Sequence, residues 1–414
     1  MRLLRVDTLE FEERDEPVSQ ALAEYVVLSH TWNYGHEVLF ENMALGRKDV
    51  AALGYNKILS TCKQAAKDGL KYVWCDTCCL DKRSSSELQE TINSMYRFYA
   101  LSAICYVYLE DVKAGLGWEE QFRKCRWLTR AWCLQELIAP LKVMLYDKNW
   151  VLLSSLQDAV KLVSSITGLD VRLLQHKREP GTYSVAQRMS WAANRHASRL
   201  EDVAYSLLGI FDVNLTMLYG EGPKAFRRLQ EEIMRVSTDH SIFAWDRPRN
   251  GEDRKPRGVL AASPADFGHC GRIGRLSGLL PGAFQLTNRG LKIPLPLAND
   301  HEASETVLAL LDCYRSGATE RPYFALELQP LPKLLNPRNY RVDPALFAAH
   351  ATDAYLVTGL RYLTEEDFKQ YSDHFRAEKI SLFGSEDFRT MNMFTPGNPG
   401  SKTWMTPAAR YTRG

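Results

Sequence analysis

Residues 1–150 predict an α/β domain built on a parallel sheet with helices on both faces. Three observations carry this. Four short runs, 25–29, 70–75, 103–109 and 142–146, are apolar without alternation, the pattern of strands buried on both faces. Helical patterns alternate with them, as in a strand–helix–strand chain. Polar chemistry collects just after two of the runs, in Ser29-His30-Thr31-Trp32 and in Asp76 to Lys82. That is the carboxyl edge, where open parallel sheets bind ligands.

The elements follow in order. Tyr25 to Ser29 is the first buried strand. A helix is expected over about 50–68, with Ile58, Cys62, Ala65 and Ala66 on one face and Gly69 just past its end. Leu70 to Cys75 is the second strand. Ser86-x-x-Gln89 reads as a capping box opening a helix with Leu88, Ile92, Met95 and Tyr99 inward. Ala103 to Leu109 is the third strand and Lys142 to Tyr146 the fourth.

Between those two strands lies Thr129-Arg130-Ala131-Trp132-Cys133-Leu134-Gln135-Glu136-Leu137, a short amphipathic helix carrying one acid. Residues four apart share a helix face, so Trp132 and Glu136 are expected together. Cys133 and Leu137 make the adjacent apolar row. An acid beside a tryptophan and an arginine in an apolar setting suggests a tuned carboxylate. The alternative is a core helix whose Glu136 simply pairs with Arg130 or Arg126.

Residues 151–245 read as wholly helical, with helices over 154–166, 184–195, 200–209 and 222–237. Pro223 is a good start signal for the last. Gly220-Glu221-Gly222 before it reads as a tight turn, because the spacing and lysine of a phosphate loop are absent. The polar segment 246–253 reads as a linker or long loop. Residues 246–414 are then β-rich, of sandwich or barrel type, with short runs at 284–287, 291–293, 306–311 and 323–328. Gly271-Arg272-Ile273-Gly274 is not followed by a helical pattern and reads as a turn. No internal repeat is apparent.

Composition excludes several classes. The 414 residues are 45% hydrophobic and 25% charged, with a formal net charge of +2. That is ordinary for a globular protein and gives no electrostatic case for nucleic acid. No run approaches the roughly 18 apolar residues of a membrane span. The N-terminus lacks the apolar core of a signal peptide, so a cytoplasmic location is expected. Nine cysteines are an odd count, and buried reduced thiols are the default there. Cys75-x-x-Cys78-Cys79 has no second metal-binding pair along the chain, so no metal is expected.

Three ordered blocks resemble those of the fungal heterokaryon incompatibility (HET) domain: Tyr25 to Trp32, Gly69 to Asp81, and Thr129 to Leu137. Arg188 to Arg195, continuing through Glu201 to Gly209 and Tyr219 to Gly222, is similar to the extension common downstream of that domain. One departure is that Asn33-Tyr34-Gly35 follows Trp32, so the glycine usual after Ser-His-Thr-Trp is displaced. The resemblance implies a role in fungal non-self recognition, in which the activated domain triggers programmed cell death, a form of innate immunity. The HET fold is thought to be a remote relative of the flavodoxin-like TIR domain. The implied organisation is a TIR-like α/β domain over 1–150, a helical extension over 151–245 and a β-rich domain over 246–414.

Many TIR domains cleave NAD at the nicotinamide–ribose bond with a glutamate in a Trp-Cys-x-x-Glu-Leu-like helix. Trp132-Cys133-Leu134-Gln135-Glu136-Leu137 has that form, so the catalytic role carries over to Glu136. The implied nucleotide-binding residues are Ser29, His30, Trp32, Asp76, Arg130 and Trp132. Each has a structural reading too. Trp32 stacks on a ring of the nucleotide or is a core tryptophan. His30 is an acid/base group or a loop hydrogen-bonder. Asp76 binds ribose or caps a turn. Arg130 clamps a phosphate or pairs with Glu136. Asp202 and Arg188 are expected to form an ion pair outside the chemistry. NAD, or a close nucleotide, is the implied substrate, with no cofactor. Self-association on activation and an unidentified activating protein are the implied partners. The rival reading is a non-enzymatic death-signalling module that acts by binding another protein.

Overall fold

The computed structural model describes residues 1–15, 23–46, 52–245, 258–276, 283, 285–287, 290–299, 306–317, 323–330, 354–363 and 376–383. The linker expected at 246–253 lies outside them, as does Phe284. The chain divides into two compact units, 1–247 with 260–276 and 313–318, and 248–259 with 277–312 and 319–414.

The first unit holds a seven-stranded sheet. Its strands are β1 (Arg2–Arg5), β2 (Phe11–Glu13), β3 (Tyr25–His30), β4 (Tyr72–Trp74), β5 (Ile104–Tyr108), β6 (Val143–Tyr146) and β7 (Leu152–Ser155), in the order β2-β1-β4-β3-β5-β6-β7. The four strands expected from sequence, β4-β3-β5-β6, pair in parallel. All six residues of β3 are buried, as the absence of alternation in 25–29 requires. The sheet is mixed, not purely parallel. β1 pairs antiparallel with β4 and β2, and β7 pairs antiparallel with β6. These additions are three or four residues long and mostly half-exposed, so they leave no apolar run to read.

The helices are α1 (Phe40–Ala44), α2 (Ala52–Lys67), α3 (Ser85–Ala100), α4 (Trp118–Arg123), α5 (Arg126–Thr129), α6 (Cys133–Ile138), α7 (Val160–Thr167), α8 (Val171–Leu174), α9 (Val185–Ser190), α10 (Asp202–Tyr205), α11 (Leu208–Phe211) and α12 (Lys224–Val236). The path β3–α2–β4 runs one way along the sheet, and β4–α3–β5 crosses back over β3. Right-handed crossovers therefore place α2 and α3 on opposite faces. Gly69 ends α2 with φ +77°, a conformation glycine adopts without strain.

Some boundaries differ from expectation. The cap of α3 is Ser84, whose side chain accepts from the Glu87 amide at 3.3 Å, not Ser86. The helix expected at 154–166 starts at Val160, because β7 takes its first residues. The expected 200–209 helix is broken into α10 and α11. Gly209 lies in α11 where that helix crosses α3. A Cβ built there meets Tyr96 Cβ and ring carbons. Gly209→Ala is expected to lower stability by about 1–3 kcal/mol through overpacking, read as a reduced Tm. An unchanged Tm would mean that the crossing yields freely.

β8 (Ile273–Arg275) belongs to the first unit; the second holds β9 (Gln285–Thr287), β10 (Gly290–Asn299), β11 (Val307–Arg315, whose last three residues fall in the first unit), β12 (Tyr323–Pro330), β13 (Ala354–Leu363) and β14 (Arg376–Phe383). The pairing β11-β12-β13-β14-β10 closes because β10 also pairs with β11. This is a β-rich, barrel-like ring. In β10, Leu291, Ile293, Leu295 and Leu297 alternate inward, as a half-buried strand requires. The turn expected at 271–274 is confined to 271–272, because Ile273 and Gly274 open β8, which pairs antiparallel with Cys313 to Arg315. Among the described residues, no helix is long and apolar enough to cross a membrane.

Candidate active site

The site grows from the end of β3. Ser29 and His30 are polar residues in a strand buried on both faces, at 0% and 1% exposure. Buried polar groups need partners, and distant segments supply them. The Ser29 hydroxyl donates to the Glu136 carboxylate on α6. It accepts from the Trp127 indole Nε1 at 2.7 Å. The short helices α5 and α6 thus lie against the strand end, with Glu136 2% exposed.

Asp76, just beyond β4, organises the other half. Its carboxylate accepts from Trp32 Nε1 at 3.0 and 3.3 Å. His30 Nε2 lies 3.6 Å away, and Arg130 Nη2 lies 3.8 Å away. Arg130 also donates to the His30 carbonyl, so one guanidinium ties β3 to Asp76. Its Cζ is 5.4 Å from the centroid of the Trp32 ring. Lys82 Nζ is 3.4 Å from the same centroid.

Burial pushes the Glu136 carboxyl up from the ordinary glutamate value, while Arg130 and Ser29 oppose the shift. Burial also holds His30 well below its ordinary value, helped by the nearby charges of Lys57, Arg130 and Lys82. His30 is therefore neutral. Burial lowers Lys82, and Asp76 resists this. His30, Cys75 and Asp76 each bring a metal-ligating atom within 4.8 Å of the others. The three cations facing His30 oppose a further positive ion there. All nine cysteines are free and buried.

The segment between α9 and α10 buttresses this cluster. Arg195, buried, donates to the Arg130 carbonyl at 3.1 Å and the Trp191 carbonyl at 3.3 Å. His196 bridges the backbone of Thr129 and Ala131 at 2.7 and 2.8 Å. Trp132 opens α6 with helical backbone angles, its carbonyl accepting from the Glu136 amide at 3.5 Å, and its side chain hydrogen-bonds Asp202. The tryptophan beside the acid is Trp127, linked through Ser29. Arg188 and Asp202 do not form the expected pair. Arg188 donates to the Ile210 carbonyl at 3.1 Å and Asp202 accepts from Tyr219 at 2.9 Å. At Gly220 to Gly222 the amides of both glycines donate to Glu201, at 2.7 and 2.9 Å. An internal carboxylate thus satisfies the turn.

The structure brings Ser29, His30, Trp32, Asp76, Arg130 and Glu136 into one polar cluster at the carboxyl edge of the parallel strands. It leaves Trp132 out. Trp127, Arg195 and Lys82 join it without having been singled out from sequence. Lys82 sat at the end of a segment already suspected, whereas Trp127 and Arg195 carry no local signal. In the cluster Ser29, His30, Asp76 and Glu136 are buried, and Trp32 and Arg130 are half-buried.

Residues 25–117 match a family described as heterokaryon incompatibility protein (HET). Residues 224–278 match one described as a domain of unknown function (DUF8212). Over 243 residues the chain is 43% identical to the vegetative incompatibility protein HET-E-1 of Podospora anserina, which covers 56% of this chain and 18% of that protein. No solved structure matches the chain.

Proposed function

Residues 25–117 carry a heterokaryon incompatibility domain, and from that premise we propose that the chain is an effector of fungal non-self recognition that hydrolyses NAD through Glu136. The observation that carries the reading is the convergence of Glu136, Arg130, Asp76, Trp32, His30 and Ser29 at the strand ends. A fold does not gain stability from so many buried ionisable groups, and a carboxyl raised by burial beside charged neighbours, as Glu136 is, is a functional-site candidate. The parallel strand order β4-β3-β5-β6 is, counted along these strands, 2-1-3-4. Flavodoxin-like folds share that order and bind ligands where it reverses, which here is beside β3. This supports the TIR-like kinship.

In the proposed reaction the bond between the ribose C1′ and the nicotinamide nitrogen breaks. The electron pair leaves with nicotinamide, and water adds to the ribosyl cation, giving ADP-ribose and a proton. Ionised Glu136 opposes the developing positive charge, as carboxylates do in glycoside hydrolysis. In the closed cluster burial favours the protonated acid. Opening to substrate favours the carboxylate, so the closed form is the resting one. Clustering of chains or an activating protein would supply the opening.

Purified full chain at high concentration, incubated with NAD, is expected to release nicotinamide and ADP-ribose in equal amounts. The burial of Glu136 equally favours a module that acts by binding another protein. Toxicity in a fungal host with no NAD loss, in cells or with purified protein, would decide for that reading.

A further inference from the structure

Lys82 is the least explained charge in the first unit. Its ammonium is buried yet has no hydrogen-bond acceptor among the described residues. It lies on the Trp32 ring instead. Both nitrogens of His30 also lack hydrogen-bond partners. A buried donor without an acceptor is costly, more so when charged, so its retention asks for a use. Cations also outnumber anions around it. Lys57 is paired with Glu37 at 2.7 Å, but Lys82 and Arg130 share Asp76, and Glu136 is engaged by the Ser29 hydroxyl. Asp76 is already engaged by the Trp32 indole. The group such a cluster accepts best is an anion with several oxygens. Arg130 offers a planar fork for it and Lys82 a compact charge on a flexible stem.

We propose that Lys82, together with Arg130, is the binding subsite for the diphosphate of a dinucleotide. This rests on the NAD reading of the same site and extends it to a residue that reading does not use. When a diphosphate oxygen takes the ammonium, Lys82 leaves the Trp32 ring. Trp32 stays fixed by Asp76 and presents its ring to a base. Neutral His30 has one N–H to donate and one nitrogen to accept, which suits a ribose hydroxyl.

The test is calorimetric titration of the full chain with ADP-ribose, inorganic pyrophosphate and adenosine, on wild type, Lys82→Met and Lys82→Arg. The expected result for Lys82→Met is ADP-ribose affinity weaker by roughly tenfold or more, unchanged response to adenosine and loss of pyrophosphate competition. Lys82→Arg keeps most of the binding. The ligand-free Met variant melts no lower than wild type, because it removes an unpaired buried charge. Three results overturn the proposal. If ADP-ribose binds equally to wild type and Lys82→Met, the NAD reading stands and the subsite falls. If ligand-free Lys82→Met melts lower, Lys82 is a packing residue. If neither ADP-ribose nor pyrophosphate binds wild type, the subsite falls and the NAD reading with it. Pyrophosphate that binds only through Lys82, with no ADP-ribose binding, upholds the anion subsite and rejects the dinucleotide.

Discussion

Glu136→Gln is expected to lower NAD turnover by about 10²–10³-fold, the usual loss when one preorganised electrostatic group is removed. Gln keeps the size of the side chain and an oxygen to accept from Ser29. It loses the negative charge opposite the ribosyl cation. The substitution also has a stability signature that separates chemistry from folding. The folded-state pKa of Glu136 is raised by burial. Its favourable contribution is therefore full below about pH 4.3, the ordinary glutamate value, and is lost as pH climbs through the raised value. Gln does not titrate, so the variant gains on wild type as pH rises from 4 to 7. Melting curves at both pH values, beside nicotinamide release, check this. Wild-type turnover in a Glu136→Gln protein of equal or higher Tm would remove Glu136 from the chemistry.

The central sheet was legible because its strands are buried on both faces. Nothing in 25–29 or 103–109 alternates, and the physics leaves no other reading for so short an apolar run between helices. The edge strands were not legible. β1 is stabilised by pairing to β4 and β2 by pairing to β1, with charged side chains such as Arg2 with Glu13 and Glu87, which carry no periodic signal. In Ser84-Ser85-Ser86 each serine is a fair cap. Only the geometry shows that Glu87, three after Ser84, makes Ser84 the one used.

The candidate site divides the same way. Ser29, His30, Trp32 and Asp76 were visible because strand ends in a parallel sheet share one edge, and Glu136 because an acid in an apolar helix asks for a partner. Trp132 does begin α6 with helical backbone angles, but its indole is engaged by Asp202, a partner that no local spacing announces. Trp127 was out of reach of any local pattern, lying 98 positions along the chain from the serine it holds. The same holds for Arg195 and Arg130. The role of the segment after residue 150 as a support for Arg130 follows from backbone contacts that composition does not encode.

Arg130→Met is expected to be the most destabilising single change in the cluster, at about 3–5 kcal/mol, because it strips the cation from buried acids. For a unit of this size that is roughly 10 °C in Tm. Methionine retains much of the apolar stem, so packing against Trp32 is largely spared and the loss is mainly electrostatic and of the bond to the His30 carbonyl. The two acids respond differently. Glu136 already leans toward its neutral form and takes up a proton. Asp76 keeps the indole of Trp32, and Lys82 near it, but loses the guanidinium 3.8 Å away. Adding Asp76→Asn, which retains an oxygen for the indole, should therefore return part of the stability. A double-mutant cycle of Arg130→Met with Asp76→Asn, read by denaturant melts of all four proteins, is expected to give a coupling of about 1–3 kcal/mol. A coupling near zero would mean that Arg130 serves the fold through the His30 carbonyl alone. In that case the charge pairing at the strand ends would carry no weight in holding the site together.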